Sequence, residues 1–296
     1  MSTKGATEIP ERDHEAGASA HREPEHPDHG PEDLGFVEAP RPGPEQRPAQ
    51  TPPRPAQAHP EVDKAFLSRV TPLFKLLRLY SRLEVNGLER IGEKGAILAA
   101  NHTGWIGLDY AYAALSVYDG KKRIPRGMAH TTWFKRQATK EFARRLGLFE
   151  ANKDTLRNMV QSDELVLLFP EGEQGAFKGD GERYVLQPFA RGYIRVAMET
   201  GVPIIPVAII GGEEANPSSG RIDSYEQLLD LSLPMPQNLF PRPVKWAISF
   251  LEPIVLEGGP EAAADRDRVE EENQRVRTLI QSELQRLQSL RGHPYL

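Results

Sequence analysis

The stretch Ala96-Ile97-Leu98-Ala99-Ala100-Asn101-His102-Thr103-Gly104 decides the fold of this chain. Five apolar residues in a row, without alternating polar ones, are typical of a strand buried on both faces of a parallel sheet. The run ends abruptly at Asn101 and His102, and α/β proteins build their sites where such strands end. The stretch therefore predicts both a fold class and the place where chemistry is expected.

The same pattern recurs along the chain. Apolar runs of strand length cover 165–169 and 203–210, and each is followed by polar residues, among them Glu171 and Glu213. Helical patterns cover 109–117, 132–146 and 192–200, a late strand covers 246–250, and a last helix is striped by Val269, Val276, Ile280 and Leu287. Strands that alternate with helices predict an α/β domain over 85–296, with a mostly parallel central sheet flanked by helices.

Residues 1–60 differ in composition from the rest. They contain twelve of the 26 prolines and eleven Asp/Glu against six Lys/Arg, with few large apolar side chains. Such a segment cannot bury enough surface to offset its conformational entropy, so we predict a disordered Pro/Glu/His-rich tail. The remainder is left with 31 acidic and 31 basic residues. A neutral folded part argues against a nucleic-acid-binding protein.

The absence of cysteine excludes disulfides, thiolate metal sites and an acyl-cysteine intermediate. The sequence has no secretory signal pattern at its start and no apolar run near the roughly 20 residues that a membrane span needs. Neither a glycine-rich nucleotide fingerprint nor a histidine cluster is present. We therefore expect no cofactor and no metal, and any association with a membrane is expected to be peripheral.

Residues 61–84 read as a basic amphipathic segment. Phe66, Val70, Phe74 and Leu77 recur at helical spacing, and Pro72 predicts a division into a short and a longer helix. Between residues 64 and 83 the charges are all positive: Lys64, Arg69, Lys75, Arg78 and Arg82. Two interpretations stay open, a helix that lies on a membrane surface and an ordinary helix packed on the core.

His102 is one of three histidines outside the tail, and Asp109 follows it across a glycine-containing loop. A His–Asp pair fixes the imidazole tautomer and stabilises the imidazolium that forms on proton uptake. The chain has no Gly-x-Ser-x-Gly motif and no cysteine, so the simplest use of the pair is to deprotonate an external hydroxyl. The alternative is a structural histidine at a strand end.

Motifs in order along about 77–253 resemble the PlsC-like glycerolipid acyltransferases, which include the lysophosphatidic acid acyltransferases. Asn101-His102 with Asp109 is similar to the first motif of that family, and Phe169-Pro170-Glu171-Gly172 matches its third. The stretch Val202-Pro203-Ile204-Ile205-Pro206-Val207 matches the fourth, and 147–153 fits the second loosely, with Lys153 as its basic residue.

The resemblance implies transfer of a fatty acyl group from acyl-CoA or acyl carrier protein to a hydroxyl of a glycerolipid-type acceptor. By analogy His102 is the general base and Asp109 orients it, while Asn101, Glu171 and Gly172 belong to the acceptor site. An enzyme with these substrates is expected to work peripherally on the cytoplasmic face of a membrane, with the lipid surface as its partner.

The chain departs from the family pattern in two places. Six residues instead of four separate His102 from Asp109, so the intervening loop must bulge. The third motif normally continues with Thr-Arg, but here Glu173 and Gln174 follow, and Gln174 cannot grip a phosphate as an Arg does. Either Lys153, Lys178 or Arg183 takes over phosphate binding, or the acceptor has no phosphomonoester.

Two other functions stay open beside acyl transfer. The altered spacing and the missing Arg would also fit a catalytically inactive relative that only binds lipid. A third alternative is an ester hydrolase in which the His–Asp pair activates water, although a hydrolase has no need of acceptor-binding residues.

Overall fold

The computed structural model of the chain describes residues 63–104, 107–222, 233–238 and 240–295, and the predicted tail lies outside them. A seven-stranded sheet forms the centre of this part, and a two-stranded antiparallel sheet stands apart from it. The strands are β1 (Glu84–Asn86), β2 (Ala96–Ala100), β3 (Arg126–Ala129), β4 (Leu148–Glu150), β5 (Leu165–Leu168), β6 (Ile204–Ile210), β7 (Ser218–Ile222), β8 (Leu233–Pro236) and β9 (Ala247–Phe250).

The central sheet has the order β1-β9-β6-β2-β5-β3-β4. Its five strands from β6 to β4 are parallel, whereas β9 runs antiparallel to β6 and pairs in parallel with β1. The predicted mostly parallel sheet is therefore confirmed. Because β1 and β9 run the other way, they begin at the edge where the five parallel strands end, which we call the carboxyl edge.

Helices cover both faces of the sheet. They are α1 (Lys64–Tyr80), α2 (Leu108–Lys121), α3 (Thr132–Lys135), α4 (Gln137–Arg145), α5 (Lys153–Gln161), α6 (Gly172–Ala176), α7 (Gly192–Thr200), α8 (Gly212–Ala215), α9 (Gly259–Ala264) and α10 (Arg266–Arg291). Successive residues of β2 belong to two hydrophobic cores. Ile97 lies in the core formed with α5, α7, α9 and α10, and Leu98 lies in the core formed with α1 and α2. Every residue of β2 is consequently buried, which explains its unbroken apolar sequence.

The long apolar runs and periodic helices lie where the sequence predicts them, since β2, β5, β6, β9 and α7 match their predicted ranges within a residue. Several short elements were missed, β3 and β4 among them, and one predicted helix was wrong. The three- and four-residue strands β4 and β3 are too short to show a pattern. The helix predicted over 132–146 is broken at Arg136, whose extended backbone (φ −109°, ψ 138°) separates α3 from α4.

Helix α1 corrects two predictions. Pro72 does not divide it, and the helix runs from Lys64 to Tyr80. Proline has no N–H group to donate to the Ser68 carbonyl, but both residues lie on the exposed side, where water can bind that carbonyl. The stripe that includes Phe74 and Leu77 packs against the core. Leu73, Leu76 and Leu79 point outward with 58%, 63% and 76% of their surface exposed, and we call them the outward face of α1.

No helix in the described ranges has the length and apolar character required to cross a bilayer.

Candidate active site

The carboxyl edge places His102 and Asp109 in direct contact. His102 follows β2, and Asp109 lies in the first turn of α2. Gly107, with φ +72°, turns the loop back so that the six-residue spacing still closes. The His102 Nδ1 atom lies 2.5 Å from Asp109 Oδ2. Since a carboxylate only accepts hydrogen bonds, Nδ1 carries the proton and Nε2 keeps its lone pair.

The side chain of Asp109 is buried and fixed by hydrogen bonds from the main chain. Its side chain is 1% exposed, and it accepts hydrogen bonds from the main-chain N–H groups of Thr103 (2.9 Å) and Tyr110 (2.8 Å). The His102 ring stacks on Phe169 with ring centroids 4.3 Å apart and keeps 20% of its side chain exposed. The base is therefore fixed in orientation and still accessible from outside.

Asn101 uses both polar atoms of its side chain within the protein. Its Nδ2 donates to the carbonyl of Ile209 at 2.9 Å, and its Oδ1 accepts from the Ile209 N–H at 2.7 Å. These bonds join the end of β2 to β6. Because the side chain is fully buried, Asn101 positions the loop that carries His102, and its predicted contact with an acceptor stays a prediction.

Glu171 and Lys178 hold the main chain of His102. One Glu171 oxygen accepts from the His102 N–H at 2.9 Å, and the other accepts from the Gln187 N–H at 2.8 Å. Lys178 Nζ lies 2.8 Å from Glu171 Oε2 and donates to the His102 carbonyl at 3.4 Å. Gly175 makes room for this arrangement, since a Cβ there would lie 2.5 Å from Glu171 Cβ.

A third charged residue, Glu213 of α8, completes the cluster with Glu171 and Lys178. Its Oε1 lies 3.5 Å from Lys178 Nζ, and its Oε2 accepts from the Tyr184 N–H at 2.6 Å. Burial raises the pKa of Glu213 to about 7, although Lys178 and the Tyr184 N–H favour its charged form. The lysine is thus the single cation among two carboxyl groups.

A second buried pair lies beside the first. Glu214 binds Arg291 of α10 and accepts a hydrogen bond from the Tyr184 hydroxyl. The same hydroxyl accepts from the Gly211 N–H at 2.9 Å. The segment that follows β6 is therefore fixed by contacts to the C-terminal helix, and Glu213 is presented to Lys178 from a rigid support.

The predicted acceptor-binding residues do not all gather here. Lys178 is 2% exposed and engaged inside the protein. Arg183 is exposed and lines a recess beside the His102 loop, and Gln174 is exposed on α6, whose first residue is Gly172. Lys153 pairs instead with Glu199 of α7 at 2.9 Å. Phosphate binding by Lys153, Lys178 or Arg183 stays a prediction.

Sequence reasoning missed Glu213, Tyr184 and Asn216 as residues of this site. Glu213 carried a usable signal, since it follows the third apolar strand run as His102 and Glu171 follow the first two. Tyr184 and Asn216 carried none. Both lie in segments without periodicity and reach the site only through the packing of α8 and the loop after α6.

The chain matches known proteins over its central and C-terminal parts. The sequence model of the acyltransferase family matches residues 82–210. An uncharacterized protein of Mycobacterium tuberculosis is 34% identical over 233 residues, which cover 74% of this chain and 65% of that protein. A Gallus gallus protein named DGAT1/2-independent enzyme synthesizing storage lipids is 26% identical over 60% of this chain and 53% of its own length.

The fold also has a counterpart among solved structures. The crystal structure of the 1-acyl-sn-glycerophosphate (LPA) acyltransferase PlsC from Thermotoga maritima superposes with a TM-score of 0.50 and 16% sequence identity, covering 75% of this chain and 79% of that one. At this identity the likeness concerns the fold alone. The chain spans 65% of the length of its mycobacterial relative.

Proposed function

We propose that the chain, whose residues 82–210 match the acyltransferase family, transfers a fatty acyl group from a thioester, acyl-CoA or acyl carrier protein, to a hydroxyl of a lipid acceptor. The observation that carries this proposal is the contact of 2.5 Å between His102 Nδ1 and Asp109 Oδ2. In the neutral imidazole, a proton on Nδ1 shared with Asp109 leaves Nε2 free to accept the proton of a hydroxyl.

In the proposed reaction, His102 Nε2 takes the proton of the acceptor hydroxyl, and the oxygen attacks the thioester carbonyl carbon. The tetrahedral intermediate collapses as the C–S bond breaks, and the thiolate leaves with the proton returned by the imidazolium. Asp109 stabilises that imidazolium, because the carboxylate faces the Nδ1–H group. The products are an ester and a free thiol, and no acyl-enzyme is formed.

The charges near His102 favour an uncharged acceptor. Asp109 and Glu171 are carboxylates, Glu213 adds negative charge above pH 7, and Lys178 is already paired with both glutamates. A phosphomonoester dianion would meet these negative charges, with Arg183 of the adjacent recess as a further cation. We therefore propose a neutral lipid alcohol rather than lysophosphatidic acid.

The reaction is proposed to take place on the cytoplasmic face of a membrane, where thioester donors are made. The outward face of α1 supplies an apolar contact, and Arg69, Lys75 and Arg82 are exposed on the same segment. Apolar side chains with flanking cations are typical of helices that lie in the interface of anionic membranes. Arg78 is excluded from this set because it pairs with Asp119 at 3.3 Å.

The full-length chain should be incubated with radiolabelled acyl-CoA or acyl carrier protein and with four acceptors: lysophosphatidic acid, a lysophospholipid, a monoacylglycerol and a long-chain alcohol. We expect labelled ester with the uncharged acceptors and less with lysophosphatidic acid. Labelled free fatty acid without ester would instead show a hydrolase. Binding of lipid without any turnover would show a non-catalytic relative.

A further inference from the structure

A narrow recess opens beside the loop that carries His102. The polar and charged side chains among its lining residues are Thr103, Lys178, Arg183, Glu213 and Asn216. Its volume of about 10 Å³ has room for one hydroxyl-sized group. Gly212 packs closely against Thr103, since a Cβ there would lie 2.2 Å from Thr103 Oγ1.

The recess is lined by buried polar atoms that have no partner in the described part of the chain. Thr103 is fully buried and Asn216 is 3% exposed, yet Thr103 Oγ1 and both polar atoms of the Asn216 amide make no hydrogen bond there. Buried polar groups are normally satisfied, because leaving one unpaired is costly. Unpaired atoms of two residues that line one recess point to a ligand atom between them.

The chemistry of these lining residues selects a neutral hydroxyl. The Asn216 amide offers donors and an acceptor, and the Thr103 hydroxyl can do either. A hydroxyl group is likewise both donor and acceptor and fits the available volume. A phosphate is larger, and it would lie against Glu213, whose carboxyl already competes with Glu171 for Lys178.

The position of the recess relates it to the reacting centre. Thr103 directly follows His102, and Lys178, which lines the recess, donates to the His102 carbonyl. We propose that the recess binds a second hydroxyl of the acceptor, the neighbour of the hydroxyl that is acylated. The substrate class is then a neutral lipid with adjacent hydroxyls, as in a glycerol carrying one chain. This inference rests on the proposed acyl transfer.

Two acceptors that differ by one hydroxyl test the inference. Glycerol monohexadecyl ether has two adjacent free hydroxyls, and the hexadecyl ether of propane-1,3-diol lacks only the middle one. Both acceptors are assayed with the same acyl donor and the full-length chain. We expect kcat/KM to be about 10-fold or more higher for the glycerol ether, because an acceptor without the middle hydroxyl would leave the buried polar groups of the recess unpaired.

Asn216→Ala and Thr103→Val should each bring this ratio toward one. Ser116→Ala is the matched control, since Ser116 also has a buried unpaired hydroxyl but lies two turns after Asp109 on α2, and it should leave the ratio unchanged. A ratio near one in the unmodified protein, or a ratio that survives both variants, would show that the recess holds only water. That result would leave acyl transfer intact, as would acylation of another acceptor but of neither ether, which would also overturn the inference. Failure to acylate both ethers and all four acceptors named above would overturn the proposed function itself. The two-substrate comparison needs no variant, so it decides even if a variant does not fold.

Discussion

The carboxyl edge and the outward face of α1 both depart from the usual rule that charged side chains are exposed and apolar side chains are buried. At the carboxyl edge, Lys178, Glu171 and Glu213 keep at most 6% of their side chains exposed. On α1, Leu73, Leu76 and Leu79 keep more than half of their surface exposed. In the first region charged groups are inside, and in the second apolar groups are outside.

The difference lies in where each inversion finds its compensation. The buried charges satisfy one another and the main chain of His102, so the reason for their burial is visible within the molecule. Nothing in the described part of the chain covers the three leucines. An exposed apolar row of this kind is consistent with the proposed lipid surface.

Removing the catalytic base should have the largest effect. We expect His102→Ala to lower kcat about 100- to 10,000-fold, the usual contribution of a general base, with an unchanged circular dichroism spectrum. His130→Ala serves as the control, because His130 follows β3 and faces Glu173 at 3.6 Å rather than Asp109. Full activity of the His102 variant on the best acceptor would contradict the mechanism.

Breaking the buried charge cluster should come next. Lys178→Met leaves Glu171 without its cation, and removal of one partner from a buried pair costs about 3–5 kcal/mol of unfolding free energy. Urea denaturation measures this loss. Lys122→Met is the matched surface control, since Lys122 is 75% exposed and its Nζ lies as far as 4.0 Å from Asp119 Oδ1. This variant should change the free energy of unfolding by less than about 0.5 kcal/mol. Equal losses in the two variants would mean that Lys178 does not stabilise the cluster.

The titration of Glu213 should give a smaller, pH-dependent effect. Its pKa is raised from 4.5 to about 7 in the folded protein, so the folded state binds more protons than the unfolded state between these values. Stability should therefore fall as pH rises from 5 to 8, by up to about 3 kcal/mol from this group. Glu213→Gln should remove that part of the slope, as measured by urea denaturation at both pH values. Parallel pH profiles for the two proteins would refute it.

The smallest expected effect concerns α1. Changing Leu76 and Leu79 together to Gln should weaken binding to vesicles of equal parts phosphatidylglycerol and phosphatidylcholine about 10-fold or more, since each leucine contributes on the order of 1 kcal/mol on partial burial. Leu290→Gln is the control, because Leu290 is 69% exposed on α10. If sedimentation assays show equal binding for all three proteins, the outward face of α1 does not contact the membrane.

The sequence predicted features that depend on residues close together along the chain better than features that depend on distant ones. Strands such as β2 and β6 are encoded by local apolar runs, and the His102–Asp109 pair by a motif within eight residues. The engagement of Lys178 could not be read in this way, because Glu213 lies 35 positions away and the same lysine would suit a solvent-exposed loop.

The sequence did not predict which side of α1 faces the core, and the reason is a different one. Apolar residues occur on several sides of this helix, so helical spacing fits both the stripe of Phe74 and that of Leu73. Only tertiary packing decides between them, since Phe74 packs on Tyr112 of α2 with ring centroids 5.7 Å apart. Periodicity therefore identifies a helix more readily than it identifies the side that the core selects.

The side chain of Asn101 acts as a substitute peptide group. Where the backbone of β2 leaves the sheet, the amide offers one donor and one acceptor to Ile209, as the next residue of a continuing strand would. An aspartate has the same shape but only acceptors, so its carboxylate would face the Ile209 carbonyl with like polarity. The identity of residue 101, which precedes His102, is thus set by the geometry of the strand end, because its side chain continues the hydrogen bonding to β6 after the backbone of β2 has left the sheet.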